Sequence, residues 1–173
     1  MKLSQKWVAD WTAVMAHPGI FFNERVESGR QSNGLIFAMG VIALEEGSRL
    51  MLIDTRYYFI SLGIAVLIIT PILLHIVAAI QTLLLRLFVE NRRGIGATVQ
   101  VIGYSIAPCV FAGFTIPALR IVCAAYGSLL LVIGLREVHH ISLVRAILVA
   151  SVPAIIIFGY VFRGVSSMGH LLS

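Results

Sequence analysis

Charge is scarce in this sequence. Only 12% of its 173 residues are Asp, Glu, Lys or Arg, whereas soluble domains contain about 25%. Hydrophobic residues make up 59% of the chain, and the mean hydropathy is +0.96. So few polar side chains are too few to cover the surface of a soluble globule. The composition therefore excludes an ordinary soluble domain and predicts an integral membrane protein.

Cysteine is nearly absent, and catalytic motifs are missing altogether. Cys109 and Cys123 form no CxxC or Cys/His ligand pattern. No HExxH, GxSxG or P-loop motif occurs, and Asp10 and Asp54 are the only aspartates. No basic run is interleaved with aromatic residues, as a nucleic-acid surface would require. We therefore expect a protein that is not an enzyme, has no catalytic, metal or cofactor-binding residues, and binds no nucleic acid.

Long apolar stretches are what the sequence has in abundance. A membrane-spanning helix needs roughly 20 mostly apolar residues. Five stretches meet this need, and none shows the alternation of a barrel strand. We predict an all-α, polytopic membrane helix bundle with five transmembrane helices, preceded by a short amphipathic helix at the membrane interface. The predicted spans are residues 34–53, 57–88, 95–116, 118–135 and 142–162.

The N-terminal segment, residues 1–33, differs from the transmembrane domain predicted for residues 34–173. Its tryptophans share one face of a helix with Val14. We predict an amphipathic helix over residues 4–16 that lies on the cytoplasmic leaflet, followed by a solvated linker at 23–33. Aromatic side chains favour the membrane interface. The predicted interface anchors are Trp7, Trp11, Phe21 and Phe22.

Lysine and arginine are unevenly distributed between the two sides of the predicted spans. With a cytoplasmic N-terminus, nine of the 13 lie in cytoplasmic segments and four lie outside. Membrane proteins keep these residues preferentially in the cytoplasm. We therefore predict a multi-pass protein of the cell membrane with its N-terminus in the cytoplasm and its C-terminus outside.

Prolines occur in or beside each of the last four predicted spans. Proline is tolerated in a spanning helix because neighbouring groups satisfy the carbonyl that it leaves unpaired, but it bends the helix. Small residues nearby favour close helix packing. The predicted helix kinks are Pro71, Pro108, Pro117 and Pro153.

Ionisable residues inside spans are functional candidates because burying them in lipid is costly. The first predicted span contains Glu45, Glu46 and Arg49, and the second contains His75. Glu45 and Arg49 have the favourable order and spacing for an ion pair on one helix. Glu45 and His75 lie at similar depths, so we expect them to approach each other. These groups either fix the register of the bundle or form a polar path for a transporter or channel.

The stretch "GLREVHHIS" (134–142) places four polar side chains between two apolar runs. A zinc site needs three or four ligands, and one helix face does not present Glu137, His139 and His140 together. We therefore interpret this stretch as an interfacial loop, with a metal site as the alternative. The candidate functional residues here are Arg136, Glu137, His139 and His140.

Four elements occur in a characteristic order: "HPGIFF" (17–22), "GYSIAP" (103–108), Pro117 and "YGSLLLVIGLREVHHIS" (126–142). Together they resemble the Yip domain family, which is related to the Rab-GTPase-interacting proteins of eukaryotic secretory membranes. The chain is similar to short prokaryotic members. The resemblance implies a five-span bundle with its N-terminus in the cytosol and a non-enzymatic role.

Eukaryotic members of this family resemble scaffolds that bind partner proteins at vesicle membranes. The sequence has no long cytoplasmic N-terminal domain like theirs, so we do not expect it to bind a GTPase. We expect its partners to be the lipid bilayer and other membrane proteins or a second copy of the chain, as a homo-oligomer. The function predicted is therefore a membrane-embedded interaction or membrane-organising protein. The alternative is a small transporter or channel with a polar path through the first two spans.

Overall fold

The computed structural model describes residues 3–27, 30–51, 57–89 and 93–172. Within these ranges the chain is helical and contains no strand, which confirms the all-α class. A short 3-10 helix, Ala107–Phe111, follows α5. The α-helices are α1 (Leu3–Ala16), α2 (Pro18–Arg25), α3 (Gln31–Met51), α4 (Tyr58–Phe88), α5 (Ile95–Ser105), α6 (Pro117–His139), α7 (Leu143–Val161) and α8 (Gly164–Leu172).

Three of these helices, α4, α6 and α7, are long and apolar enough to cross a membrane. Two other predicted spans differ from that pattern. Helix α3 has the length, but it contains three charged residues in its last two turns. The third predicted span, 95–116, breaks after Ser105, because Pro108 has no N–H to donate to the carbonyl of Tyr104 and the chain tightens into the 3-10 helix.

Helix α5 lies at the centre of the bundle, and every residue from 97 to 109 is buried. It packs against α3, α4 and α6. The contact with α3 is a close approach of two backbones. A Cβ atom added to Gly34 would lie 2.5 Å from the Cα atom of Gln100, and one added to Gly103 would collide with the carbonyl of Gly34. Small residues at helix interfaces permit this kind of packing in membranes.

The predicted N-terminal helix forms, but its aromatic face lies against the protein. The Trp7 ring stacks on Phe37 with 5.2 Å between centroids, and its indole N–H donates to the Phe37 carbonyl. The Trp11 indole N–H donates to the Ala107 carbonyl over 2.9 Å. Both tryptophans thus fasten α1 to the bundle. The prediction of interface anchors considered only the affinity of tryptophan for lipid headgroups. In the structure, backbone carbonyls of the bundle accept the two indole hydrogen bonds.

The prediction of membrane anchors at Phe21 and Phe22 is wrong, since the two side chains are 3% and 0% exposed. They belong to α2, a helix that we had not predicted, which packs against α6. The predicted linker at 23–33 is also wrong in part. Residues 23–25 complete α2, and α3 begins at Gln31. The polar composition of this stretch predicted a linker. Its two ends instead belong to helices, and apolar residues close to these ends are buried.

Only two of the four predicted kink prolines lie inside long helices. Pro153 interrupts α7, and Pro71 follows a π-helical stretch of α4, Ala65–Ile69. Pro117 is the first residue of α6, where the missing N–H has no helical acceptor to lose. Pro108 lies in the 3-10 helix after α5. The kinks predicted at Pro108 and Pro117 are therefore a helix end and a helix start.

Gln81 compensates for the proline in α7. Pro153 has no N–H to donate to the carbonyl of Val149, and the side-chain amide of Gln81 from α4 donates to that carbonyl over 2.9 Å. Gln81 is 0% exposed. This contact is the satisfaction of a freed carbonyl by a neighbouring helix, as expected for proline in a spanning segment.

Candidate functional site

A cavity of about 140 Å³ lies where α3, α4, α5 and α7 meet. Most of its lining is aliphatic, and the polar side chains among the lining residues are Glu45, Glu46 and Thr70. The Thr70 hydroxyl donates to the carbonyl of Ala65 over 2.8 Å. The two carboxylates are therefore the distinctive chemical feature of this cavity.

Glu45 is buried at the side of the cavity, with 9% of its surface exposed. Its backbone is held closely. The Ser48 hydroxyl donates to the Glu45 carbonyl over 2.8 Å, and a side chain at Gly113 would collide with that same carbonyl. Among residues in the described ranges, none donates a hydrogen bond to the Glu45 carboxylate or forms an ion pair with it.

The predicted pair between Glu45 and Arg49 is wrong, because Arg49 pairs with Glu46. The Arg49 Nε atom donates to Glu46 Oε2 over 3.0 Å, and its Nη2 atom also contacts that oxygen. The Glu46 and Arg49 side chains remain 20% and 23% exposed. A pair near the surface costs less desolvation than one drawn inward to Glu45, and the long arginine side chain reaches outward.

The predicted approach of Glu45 to His75 is not formed either. The His75 Nδ1 atom lies 2.7 Å from the Pro71 carbonyl of its own helix. The cavity face of α4 contains Thr70, Leu74 and Val77, and His75 lies about 140° around the helix from Thr70. The sequence-based prediction compared only the depths of the two residues in the membrane, and not the face of α4 on which His75 lies.

Both π-helical stretches of the protein's described part line this cavity. Ala65 and Ile69 come from the stretch in α4, and Ile157 and Val161 come from Ile155–Val161 in α7. Stretches of this kind widen a helix locally and occur often at functional sites. In both helices the π-helical stretch begins or ends within two residues of a proline. Proline was therefore the available sequence signal, although it does not indicate which face widens.

The stretch "GLREVHHIS" is not a loop throughout, because α6 continues to His139. His139 is 2% exposed, and its Nδ1 atom accepts a hydrogen bond from the backbone N–H of Arg93 over 3.2 Å. His140 ends the helix in the left-handed conformation at φ 51° and is exposed. The charged ends of Arg136 and Glu137 lie 3.7 Å apart. The two adjacent histidines thus have opposite environments.

A second cavity, of about 610 Å³, adjoins these histidines at the end of α6. It also contains basic side chains from α4 and α7. The polar residues lining it are Arg86, His139, His140 and Arg145. Across the described ranges, no three His, Cys, Asp or Glu side chains are grouped to hold a metal ion. Its chemistry is that of a basic surface at one end of the bundle.

Sequence reasoning missed the buried polar residues Gln81, Gln100 and Asp10. Gln100 is 0% exposed, and its amide donates to the carbonyl of Glu27 over 2.6 Å. Burial raises the pKa of Asp10 above its usual value, while Lys6 and Arg25 oppose that shift. The available signal for both glutamines was an uncharged amide inside an apolar run.

The sequence profile of the Yip1 domain matches residues 12–163. The chain belongs to the Yip1 domain family. The family resemblance noted in the motifs is thereby confirmed, and the long apolar helices agree with a membrane protein. The Yip1 match begins within α1 and extends past α7, so it includes α2 and the cavity. Comparisons with curated proteins and with solved structures give no match.

Proposed function

We propose that this Yip1 domain protein is a non-enzymatic protein of the cell membrane that holds other membrane proteins or a second copy of itself. The observation that carries the proposal is the outer face of α4. This helix has 31 residues, but only 22% of its most apolar window is buried. Large aliphatic side chains such as Leu67, Ile72 and Ile76 remain 53–66% exposed. Lipid covers such a face, and another membrane helix packs against it equally well.

The surface of α4 also permits close approach. A Cβ atom added to Gly63 would meet nothing within 4 Å. Transmembrane helices associate through small residues that bring their backbones together. Gly63 thus gives the outer face of α4 a point where a partner helix fits, beside aliphatic side chains that contact it.

Site-specific photocrosslinking in the membrane tests this proposal. A benzophenone amino acid is placed at Leu67, Ile72 or Ile76, and buried Leu85 of the same helix serves as the control position. A partner helix gives protein adducts of discrete mass at neighbouring exposed positions and none at Leu85. Adducts with lipid alone at all three exposed positions would contradict the proposal.

In this proposal the membrane is crossed five times, by α3, by α4, by α5 with its 3-10 helix, by α6 and by α7. The apolar helix Ile95–Phe111 is short. Because this helix is central, its ends are surrounded by neighbouring helices rather than by lipid. The distribution of Lys and Arg supports a cytoplasmic N-terminus. A reporter fused after Ser173 should be detected outside and one inserted between Arg92 and Gly94 inside. The reverse pair would contradict a cytoplasmic N-terminus, and two reporters on the same side would contradict three crossings between them.

The cavity beside Glu45 favours a second candidate function, a small transporter or channel with a polar path between α3 and α4. Two carboxylates line a cavity between the same two helices. Proton or cation flux into liposomes that contain the purified protein, reduced in Glu45→Gln, would support transport. Discrete crosslinks without flux would favour the interaction role.

A further inference from the structure

We propose that the cavity beside Glu45 binds an apolar molecule carrying a single ammonium group, which enters from the membrane between α4 and α7. The inference concerns the ligand of this cavity. It does not depend on whether α4 binds a partner protein.

The first observation is that the Glu45 carboxylate has no hydrogen-bond or ion-pair partner among the described residues. Glu45 is 9% exposed and lines the cavity, yet no residue of the described ranges donates a hydrogen bond to its carboxylate. An isolated charge in apolar surroundings is costly, and a partner of opposite charge removes much of that cost. The nearest basic residue on the same helix, Arg49, is already paired with Glu46. Two further described residues, Arg120 and Arg163, act on Glu45 without forming an ion pair with it. The cavity therefore presents an acceptor for a cation that the described part of the protein leaves open.

The remaining walls decide what kind of cation fits. Metal ions such as Ca²⁺ need about six or more oxygen ligands. Apart from the two glutamates, the polar side chain here is Thr70, whose hydroxyl hydrogen is donated to Ala65. The other walls are aliphatic, with Ile42, Leu73 and Ile102 among them. An organic ammonium ion matches this arrangement, since its charged end pairs with Glu45 and its apolar body fills the remaining space.

The volume limits the size of the apolar body. The cavity measures about 140 Å³, close to the ~150 Å³ of an engineered apolar cavity that accommodates benzene. A ring-sized group or a short branched chain thus fits inside. A phospholipid headgroup does not, because its phosphate would be placed against aliphatic walls and two carboxylates.

The entrance lies between the two π-helical stretches. Ile69 of α4 and Val161 of α7 line the cavity, and they are also 51% and 40% exposed on the outside of the bundle. Each belongs to a π-helical stretch, and such stretches are found frequently at functional sites. A molecule dissolved in the lipid therefore reaches Glu45 from the side, past these two residues.

Benzylammonium binding to the purified protein in detergent micelles tests the inference, with benzyl alcohol as the uncharged probe of equal size. Calorimetric titration should give saturable binding of benzylammonium to the wild-type protein. Glu45→Gln keeps the shape of the side chain and removes its charge, so it should weaken that binding by about tenfold or more. Benzyl alcohol should bind the wild-type and Glu45→Gln proteins alike. Glu24→Gln, at an exposed glutamate, should leave both probes unaffected.

A second variant tests the cavity itself. Ala65→Phe adds a ring to the wall at the π-helical stretch and should abolish saturable binding of both probes. Thermal unfolding confirms that each variant is folded, and Glu45→Gln should be as stable as the wild type because it removes a buried charge. Equal binding of benzylammonium to wild type and Glu45→Gln would overturn the inference, as would the absence of saturable binding to the wild type. Crosslinking from α4 reports on the partner independently of either result.

Discussion

Helices α4 and α5 show opposite relations between sequence and position. The most apolar window of α4 has a mean hydropathy of 2.6 and is 22% buried. Helix α5 contains Thr98, Gln100 and Ser105, and all three are 0% exposed. Lipid is as apolar as leucine, so an aliphatic helix gains little by moving inward. A polar side chain does gain, because hydrocarbon offers it no hydrogen-bond partner. The polar helix therefore occupies the centre.

Two of these three polar side chains, Gln100 and Ser105, donate to backbone carbonyls close at hand. Gln100 donates to Glu27 over 2.6 Å and to Gly96 over 3.2 Å. The Ser105 hydroxyl donates to the Val101 carbonyl over 2.6 Å. Helix α4, by contrast, has a single buried amide, Gln81, which it uses to contact α7. Uncharged polar side chains in an apolar run thus indicate the central helix of this protein better than a high mean hydropathy does.

The largest expected effect comes from comparing isoleucines in the two helices. Ile102 of α5 is 1% exposed and Ile76 of α4 is 53% exposed. Ile102→Ala should lower the free energy of unfolding by about 2–4 kcal/mol because it leaves a void among packed helices. Ile76→Ala should change it by less than about 0.5 kcal/mol. Reversible unfolding in mixed detergent micelles measures both. Similar losses would contradict the central position of α5.

A matched pair of glycines sharpens the comparison. Gly103→Ala should cost about 1–3 kcal/mol, because the added methyl group collides with the backbone of Gly34. Gly63→Ala in α4 meets no other atom of its own chain, so in the protein without a bound partner it should be neutral or slightly stabilising, since alanine favours the helix. The same unfolding assay applies. If Gly103→Ala were as stable as the wild type, α3 and α5 would not be in backbone contact.

The contact between Gln81 and Val149 predicts a smaller effect with a specific rescue. Gln81→Leu should cost about 1 kcal/mol, since it leaves the Val149 carbonyl without a donor. Pro153→Ala supplies a backbone N–H to that carbonyl. The cost of Gln81→Leu should therefore be smaller in the Pro153→Ala background, as measured by a double-mutant cycle. Strict additivity would mean that Gln81 does not compensate for the proline.

The smallest effect concerns Asp10, which lines a pocket with Tyr104 of α5. Burial raises the pKa of Asp10 above 3.8 in the folded protein. The folded state thus holds this proton more tightly than the unfolded state, and the free energy of unfolding should fall as pH rises from 3.8 through the raised pKa. Asp10→Asn should remove that part of the pH dependence. The free energy of unfolding is measured for the wild type and Asp10→Asn across this pH interval. If it changed in parallel in the two proteins, the expectation would be contradicted.

Much of the architecture was predictable from composition and order along the chain. A scarcity of charge and long apolar runs specify a helical membrane protein, because a backbone in lipid must satisfy its own hydrogen bonds. The motifs from "HPGIFF" to "GLREVHHIS" indicated the family, which the match to the Yip1 domain confirms. Proline positions indicated where helices end or change their hydrogen-bond pattern.

Tertiary structure alone decided which groups meet. Spacing along α3 favoured Arg49 with Glu45, but burial of one glutamate and exposure of the other placed Arg49 with Glu46. Equal depth in the membrane predicted that His75 lies beside Glu45, but His75 lies on a different face of α4. Phe21 and Phe22 have the aromatic character of membrane anchors, yet α2 carries them into the core. The sequence determines how apolar each segment is. The choice of partner depends on the direction of each side chain and on the neighbouring helices, and these are properties of the assembled bundle.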